Sequence, residues 1–153
     1  MKKLIEWTDD LSVGVQEIDE QHKVLVNLLN KLYEAIITSN EDHMIKSILQ
    51  ELIQYTVIHF AVEESLMRIF NYPNYEEHKK QHALLVEQVL QLQNNVERNE
   101  SELSLDTLNF LRHWLTEHIM GEDMRYTPYL IENGVQTSWE KRSWAGRIWD
   151  SLH

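Results

Sequence analysis

The stretch from residue 59 to residue 82 carries two pairs of side chains that could bind a metal ion. His59 and Glu63 lie four residues apart, and so do His78 and His82. Residues with this spacing share one face of an α-helix, so each pair would direct two ligands towards one point. Imidazole and carboxylate groups suit iron, zinc, copper or manganese, and the chain has no cysteine that would favour a thiolate site. These spacings predict a metal site built on helices.

A predicted turn separates the two pairs. The segment Asn71-Tyr72-Pro73-Asn74 contains a proline that a helix interior does not accommodate. Asn74 is followed three residues later by Glu77, a spacing typical of a capping box at the start of a helix. Two helices joined by a tight turn run antiparallel, so the two pairs can converge within a helical hairpin.

Four segments show the apolar period of a helix with one buried face. They cover residues 19–36, with Asp19 as a plausible N-cap, and residues 45–70, 78–96 and 105–119. The first of these segments carries His22 on its apolar stripe. A metal-binding group therefore lies on the first helix as well as on the hairpin.

The fourth segment adds His118, with Asp123 five residues later. On a regular α-helix, side chains five residues apart point about 140° away from each other. If both face the core, something must turn Asp123 inward. We expect Gly121 to do so, either as the C-cap of the helix or through a local π-helical widening.

Length and composition predict a single all-α domain. The chain has 153 residues with only 4 glycines and 2 prolines, which disfavours a turn-rich β-protein. We predict an antiparallel up-down four-helix bundle over about residues 19–122. An N-terminal arm would cover residues 1–18, and a short C-terminal extension residues 124–153.

The charge of the chain excludes some classes of function. A formal net charge of −11 argues against binding to nucleic acid, which requires a basic surface. Acidic residues interrupt the N-terminal region before any apolar run is long enough for a signal peptide or a membrane span. We therefore expect a cytoplasmic protein, and a monomer.

In chain order, the ligand candidates form a lone His, then His-x-x-x-Glu, His-x-x-x-His and His-x-x-x-x-Asp. They are His22, His59, Glu63, His78, His82, His118 and Asp123. This order resembles the hemerythrin family, in particular its single-domain bacterial members, over about residues 7 to 130.

The resemblance implies a pair of iron ions in each chain. One iron would be held by His78, His82 and His118, and the other by His22 and His59. Two carboxylates and an oxo or hydroxo group would bridge them. The bridging carboxylates would be Glu63 and Asp123.

The function implied by the family is reversible binding of dioxygen, for transport, storage or delivery to an oxygen-consuming partner, without enzymatic turnover. The iron held by two histidines would keep one coordination position open, next to an apolar oxygen pocket. The pocket residues would be Phe60, Trp114, Leu115 and Ile119. The alternatives are a di-iron enzyme that handles peroxide or nitric oxide, and an oxygen sensor that acts through a partner.

Simpler interpretations exist for single residues. A lone histidine on an apolar face is more often a hydrogen-bonded core residue than a ligand, but burying so many polar groups on four core stripes without a metal would be costly. The remaining histidines, His43, His113 and His153, are expected at the surface. Glu64 is expected to be solvated, because it lies about 100° from Glu63 around the helix.

The C-terminal extension contains Trp139, Trp144 and Trp149 beside basic residues. The simpler interpretation is that these tryptophans cover the open end of the bundle or the N-terminal arm. The alternative is an aromatic and basic patch that docks an oxygen-consuming enzyme or a membrane surface.

Overall fold

The computed structural model describes residues 3–38, 42–98 and 105–135, together with Leu152, but not the side chains of Leu105 and His118. These residues form helices and no strand, which confirms the all-α prediction. In chain order the elements are a 3₁₀ turn at Asp9–Leu11, α1 at Gln16–Thr38, α2 at Asp42–Ile69, α3 at Tyr75–Glu97, α4 at Leu105–His113, a π-helical segment at Trp114–Ile119 and α5 at Met120–Glu132. The three tryptophans of the C-terminal extension lie outside the described residues.

The helices pack as the predicted four-helix bundle. Helix α2 packs against both α1 and α3, while α4 contacts α1. The elements α4, the π-helical segment and α5 follow one another without a break and together make the fourth helix of the bundle. Within the described ranges, no helix is both long enough and apolar enough to cross a membrane.

The first helix begins earlier than predicted, because Asp19 is not its N-cap. Helix α1 starts at Gln16, and Asp19 lies one turn inside it. Its carboxylate accepts hydrogen bonds from the backbone N–H of Val13 (2.8 Å) and from the hydroxyl of Ser12 (2.6 Å). Asp19 therefore fastens the N-terminal arm to α1.

A second pair of hydrogen bonds attaches the start of the N-terminal arm to α1. The side-chain amide of Asn30 accepts a hydrogen bond from the backbone N–H of Ile5 (2.9 Å) and donates one to the Ile5 carbonyl (2.8 Å). The side chains of Ile5, Val13 and Val15 are buried, as expected for an arm that packs across the bundle. The arm thus contributes to the core although it is not a regular helix.

The turn between α2 and α3 lies where it was predicted, but it is stabilised differently. Asn74 is the N-cap of α3, yet its side chain makes no capping hydrogen bond, so the predicted capping box does not form. Asn71 adopts a left-handed conformation (φ 54°), which asparagine tolerates better than most residues. The hydroxyl of Tyr129 donates to the carbonyls of Phe70 (2.7 Å) and Asn71 (2.9 Å), so α5 helps to fix this turn.

The fourth helix differs most from the prediction. It does not end at Gly121 but continues through Gly121 and Pro128 to Glu132. The widening lies before Gly121, and its last turn contains a hydrogen bond from the Met120 N–H to the Leu115 carbonyl, five residues back. This longer turn changes the rotation of the residues that follow, and Asp123 points into the core. Gly121 is therefore not a C-cap.

Within the described residues, the core consists of two apolar clusters. The larger contains Leu25, Leu29 and Met120, and the smaller contains Ile18 and Tyr126. On α1 and on α5, the change from one cluster to the other occurs within a few residues of a predicted ligand. Buried polar side chains thus lie at the level where the two clusters meet.

The role of Asp19 leads to a stability prediction. Replacing Asp19 by Ala removes both hydrogen bonds to the arm, and we expect the free energy of unfolding to fall by about 2 kcal/mol. Thermal or urea unfolding would measure the loss, and hydrogen exchange should become faster in residues 3–15. Replacing Asp10, an exposed acidic residue of the arm, by Ala is the control. Equal stability of the two variants would show that Asp19 does not hold the arm.

Candidate metal centre

The structure brings predicted ligands from every part of the bundle into its interior. His22 comes from α1, the first predicted pair from α2, the second pair from α3 and Asp123 from α5. None of their side chains is more than 5% exposed; they are His22, His59, Glu63, His78, His82 and Asp123. The side chain of His118 lies outside the described part of the structure.

A first group of potential ligands forms around one oxygen of Asp123. The Asp123 Oδ2 atom lies 2.5 Å from His22 Nε2 and 3.0 Å from His59 Nε2. One potential ligand atom from each of the three residues lies within 4.8 Å of the other two. A single cation could contact all three side chains.

A second group of potential ligands shares Asp123 with the first. It contains Glu63, His78, His82 and Asp123, again with ligand atoms within 4.8 Å of one another. The Glu63 Oε1 atom lies 3.2 Å from His59 Nε2 and 3.3 Å from His82 Nε2, between one imidazole of each group. Both carboxylates therefore stand between the two groups, as bridging ligands of two neighbouring cations would.

Unpaired polar atoms support this interpretation. Among the described residues, Glu63 Oε1 and His78 Nε2 are buried and have no hydrogen-bond partner, since the contacts of Glu63 Oε1 lack hydrogen-bond geometry. A buried polar atom without a partner costs about 1–3 kcal/mol. Both atoms are good ligands for a cation, so a metal would satisfy them. The donor set fits a non-haem metal centre.

Burial keeps most of the imidazoles neutral. It lowers the pKa of His22 and of His78 to about 4, and that of His59 to about 3. For His82, burial acts in the same direction, but its close contact with the negative charge of Glu63 and its hydrogen bond to Glu64 raise the pKa overall. At neutral pH the first three imidazoles keep a lone pair free for a metal ion.

Burial has the opposite effect on the two carboxyl groups. It raises the pKa of Asp123 to about 7. It also raises the pKa of Glu63, and the neighbouring negative charge of Asp123 adds to that effect. Without a cation these groups therefore tend to hold protons, and a divalent metal that binds here would release them.

The sequence did not lead us to the residues that contact the predicted ligands on the side away from the centre. His59 Nδ1 lies 2.6 Å from the Gln21 side-chain oxygen, and the Gln21 amide nitrogen donates to Glu17 Oε1 at 3.0 Å. Both Gln21 and Glu17 are buried. The signal was available, because Glu17 and Gln21 repeat the spacing of four residues found in the ligand pairs.

The expectation for Glu64 was wrong. Its Oε2 atom lies 3.0 Å from His82 Nδ1, and the Glu64 side chain is 23% exposed. The 100° offset from Glu63 is real, but the side chain is long enough to reach across to α3. Glu64 therefore contacts a predicted ligand instead of pointing only into solvent.

Tyr126 holds the other side of Glu63. Its hydroxyl donates a hydrogen bond to Glu63 Oε2, which leaves Oε1 directed towards the imidazoles. Burial raises the pKa of Tyr126 well above its ordinary value, so the hydroxyl stays protonated and acts as a donor. Tyr126 follows Asp123 by three residues, so one turn of α5 supplies both a predicted ligand and a group that orients another.

The residues of the predicted oxygen pocket are all buried in the larger apolar cluster. They are Phe60, Trp114, Leu115 and Ile119. The Phe60 ring stacks on the His82 ring, with centroids 3.8 Å apart and planes inclined by 4°. The Trp114 indole N–H donates to the Leu85 carbonyl at 3.1 Å, which ties the π-helical segment to α3. Phe60 thus brings the apolar cluster into contact with a predicted ligand.

The two described histidines outside the ligand pattern, His43 and His113, lie away from this centre. His43 is exposed, as expected. His113 is exposed as well and forms an ion pair with Glu117, one turn along the same helix, at 3.1 Å. His153 lies outside the described residues.

Comparisons with known proteins agree with the geometry. Residues 13–130 match the family model of the hemerythrin HHE cation binding domain. The bacteriohemerythrin of Stenotrophomonas maltophilia is 33% identical over 146 residues, which cover 94% of each chain, and that of Methylococcus capsulatus is 36% identical over 128 residues, which cover 83% of this chain and 97% of the relative. A solved structure of wild-type hemerythrin is 36% identical, has a TM-score of 0.76, and matches 83% of this chain and 98% of its own. The helices of the bundle bury a set of imidazoles and carboxylates, and the relatives that match most of the chain are hemerythrins. The chain therefore belongs to the hemerythrin family.

Proposed function

We propose that this protein binds dioxygen reversibly at a non-haem di-iron centre and carries, stores or delivers it. The observation that carries the proposal is the sharing of Asp123 between two groups of buried ligands. A mononuclear site would need only one such group. The family assignment supports the same function.

We assign the ligands as the resemblance to the hemerythrin family implies. His22 and His59 would hold one iron, and His78, His82 and His118 the other. The bridges would be Glu63, Asp123 and an oxo or hydroxo group. Glu63 contacts an imidazole of each group, and Asp123 contacts both imidazoles of the first group and lies with a ligand atom within 4.8 Å of those of the second, which supports this assignment.

When bound, the two irons would supply the pair of electrons that dioxygen takes up and returns. The residues of the chain provide the surroundings that keep this exchange reversible. Tyr126 and Gln21 fix the orientation of Glu63 and His59, so little rearrangement is needed on binding. The predicted pocket residues would exclude water, which hinders protonation and loss of a reduced oxygen species.

Reversibility is the property that tests this proposal. We expect the absorption spectrum of the reduced, iron-loaded protein to change on exposure to oxygen and to return to its starting form when oxygen is removed. Both changes should repeat over several cycles. Absorption spectroscopy in an anaerobic cell would follow the cycles. Continuous oxygen consumption, or turnover of peroxide or nitric oxide, would instead identify an enzyme.

A ligand variant tests the assignment of the second iron. Replacing His82 by Ala removes an imidazole of the second group, and we expect the loss or loosening of one iron per chain together with the loss of oxygen binding. Iron content and the oxygenated spectrum would be measured. Replacing His113, an exposed histidine, by Ala is the matched control. Full iron content with normal oxygenation in the His82 variant would contradict the assignment.

We propose that the tryptophan-rich end of the C-terminal extension, residues 137–153, serves a role outside oxygen binding, such as docking an oxygen-consuming enzyme or a membrane surface. Its Trp139, Trp144 and Trp149 and the neighbouring Lys141, Arg142 and Arg147 make an aromatic and basic sequence in an otherwise acidic chain. The match to the hemerythrin HHE cation binding domain ends at residue 130, before these tryptophans, which supports a bundle that is complete without them.

Deletion of residues 137–153 tests this separation. We expect the truncated protein to keep its iron, its reversible oxygenation and a similar unfolding temperature. The full-length protein is the control, and association with anionic lipid vesicles would be compared between the two by sedimentation. Unfolding of the truncated chain would show that the extension is structural.

A further inference from the structure

One imidazole in each group of ligands contacts a side chain on the side away from the centre, and the two side chains differ: Glu64 contacts His82, whereas Gln21 contacts His59. We propose that Glu64 and Gln21 are positioning residues that make the two metal positions unequal in donor strength. The position that includes His82 would be the stronger donor, and the position that includes His59 the weaker one. This inference rests on the proposed metal centre.

On the α3 side, a carboxylate meets the imidazole directly. Glu64 Oε2 lies 3.0 Å from His82 Nδ1, while His82 Nε2 faces the centre, 3.3 Å from Glu63 Oε1. With a metal on Nε2, Nδ1 carries the proton and donates it in a hydrogen bond to Glu64. Such a charge-assisted bond is stronger than a neutral one.

On the α1 side, a neutral amide occupies the same place. His59 Nδ1 lies 2.6 Å from Gln21 Oε1, while His59 Nε2 faces Asp123 and Glu63. The contact of Gln21 Nε2 with Glu17 Oε1 fixes the direction of the amide, because only the nitrogen can donate to a carboxylate. The negative charge on this side is thus one residue further from the imidazole.

This difference changes how strongly each imidazole donates electrons. A carboxylate that accepts the Nδ1–H bond draws the proton towards itself and raises the basicity of Nε2. An amide oxygen does the same more weakly. The His82 position would therefore bind a cation more tightly and favour the ferric state, whereas the His59 position would remain easier to reduce.

Replacing Glu64 by Gln tests the positioning role of Glu64. The control is Glu87→Gln, which removes the same charge from the same groove between α2 and α3, where Glu87 is exposed. Cobalt(II) would be titrated into the metal-free protein in competition with a chelator, and its absorption bands would resolve the two binding steps. We expect the tighter step to weaken about tenfold in the Glu64 variant, and both steps to be unchanged in the control.

The reduction potential of the iron centre gives a second measurement, because it would not change if Glu64 only stabilised the fold. In the iron-loaded Glu64→Gln variant, the potential should shift to more positive values, because the ferric state loses its stronger donor. The unfolding temperature of the metal-free variant should match that of the wild type. An unchanged potential and unchanged cobalt binding would overturn the role of Glu64.

The positioning role of Gln21 is tested by exchanging the side chains at positions 17 and 21. The double variant Glu17→Gln/Gln21→Glu keeps the charge and the set of atoms but places the carboxylate directly against His59. We expect the weaker cobalt step to tighten about tenfold and the two steps to become more alike. The single variant Gln21→Leu removes the hydrogen-bond acceptor and should weaken the same cobalt-binding step. It provides the test if the double variant does not fold. If both variants fold and leave that step unchanged, Gln21 has no such role.

The wild-type titration separates this inference from the proposed function. If the wild type binds fewer than two cobalt ions at the centre, the proposed di-metal site is wrong. If it binds two and the variants do not alter either step, the site stands and the positioning roles fall.

Discussion

The structure depends on the burial of imidazole and carboxylate groups at one level of a helical bundle. Desolvation of a charged group is costly, and the described ligands are almost completely shielded from water. The pKa values of His22 and Asp123 move in opposite directions for this one reason, since burial disfavours the charged form of each. A divalent cation reverses the cost, because it uses the lone pairs of the imidazoles and the charge of the carboxylates at once.

The rest of the bundle follows from this constraint. Two apolar clusters enclose the polar level from both sides, and the N-terminal arm adds Ile5, Val13 and Val15 to them. The groups that hold the ligands from behind are themselves hydrogen-bonded, as the contact between Gln21 and Glu17 illustrates. The contacts of Gln21 with His59 and of Tyr126 with Glu63 thus connect α1 and α5 to α2 around the centre.

Helix count, the helical hairpin and the burial of the described ligand candidates could be predicted from the sequence, because a spacing of four residues and an apolar period report directly on one helix face. The inward direction of Asp123 could be predicted with two explanations, a C-cap at Gly121 or a local π-helical widening. The structure has the widening, and it lies before Gly121. The sequence alone could not decide between the two. Glu64 was misjudged because an angle around a helix ignores the length of a side chain. Asp19 was assigned the wrong capping role, and Asn74 is the N-cap of α3 without the predicted side-chain hydrogen bond, since a capping residue fits several turn geometries equally well.

The central claim is that one carboxylate, Asp123, stands between two metal ions. Anomalous diffraction at the iron edge, from crystals of the iron-loaded protein, tests it most directly. The account predicts two anomalous peaks, one beside His22 and His59 and one beside His78 and His82, on either side of the Asp123 carboxylate. A single peak, or peaks that Asp123 does not touch, would contradict it.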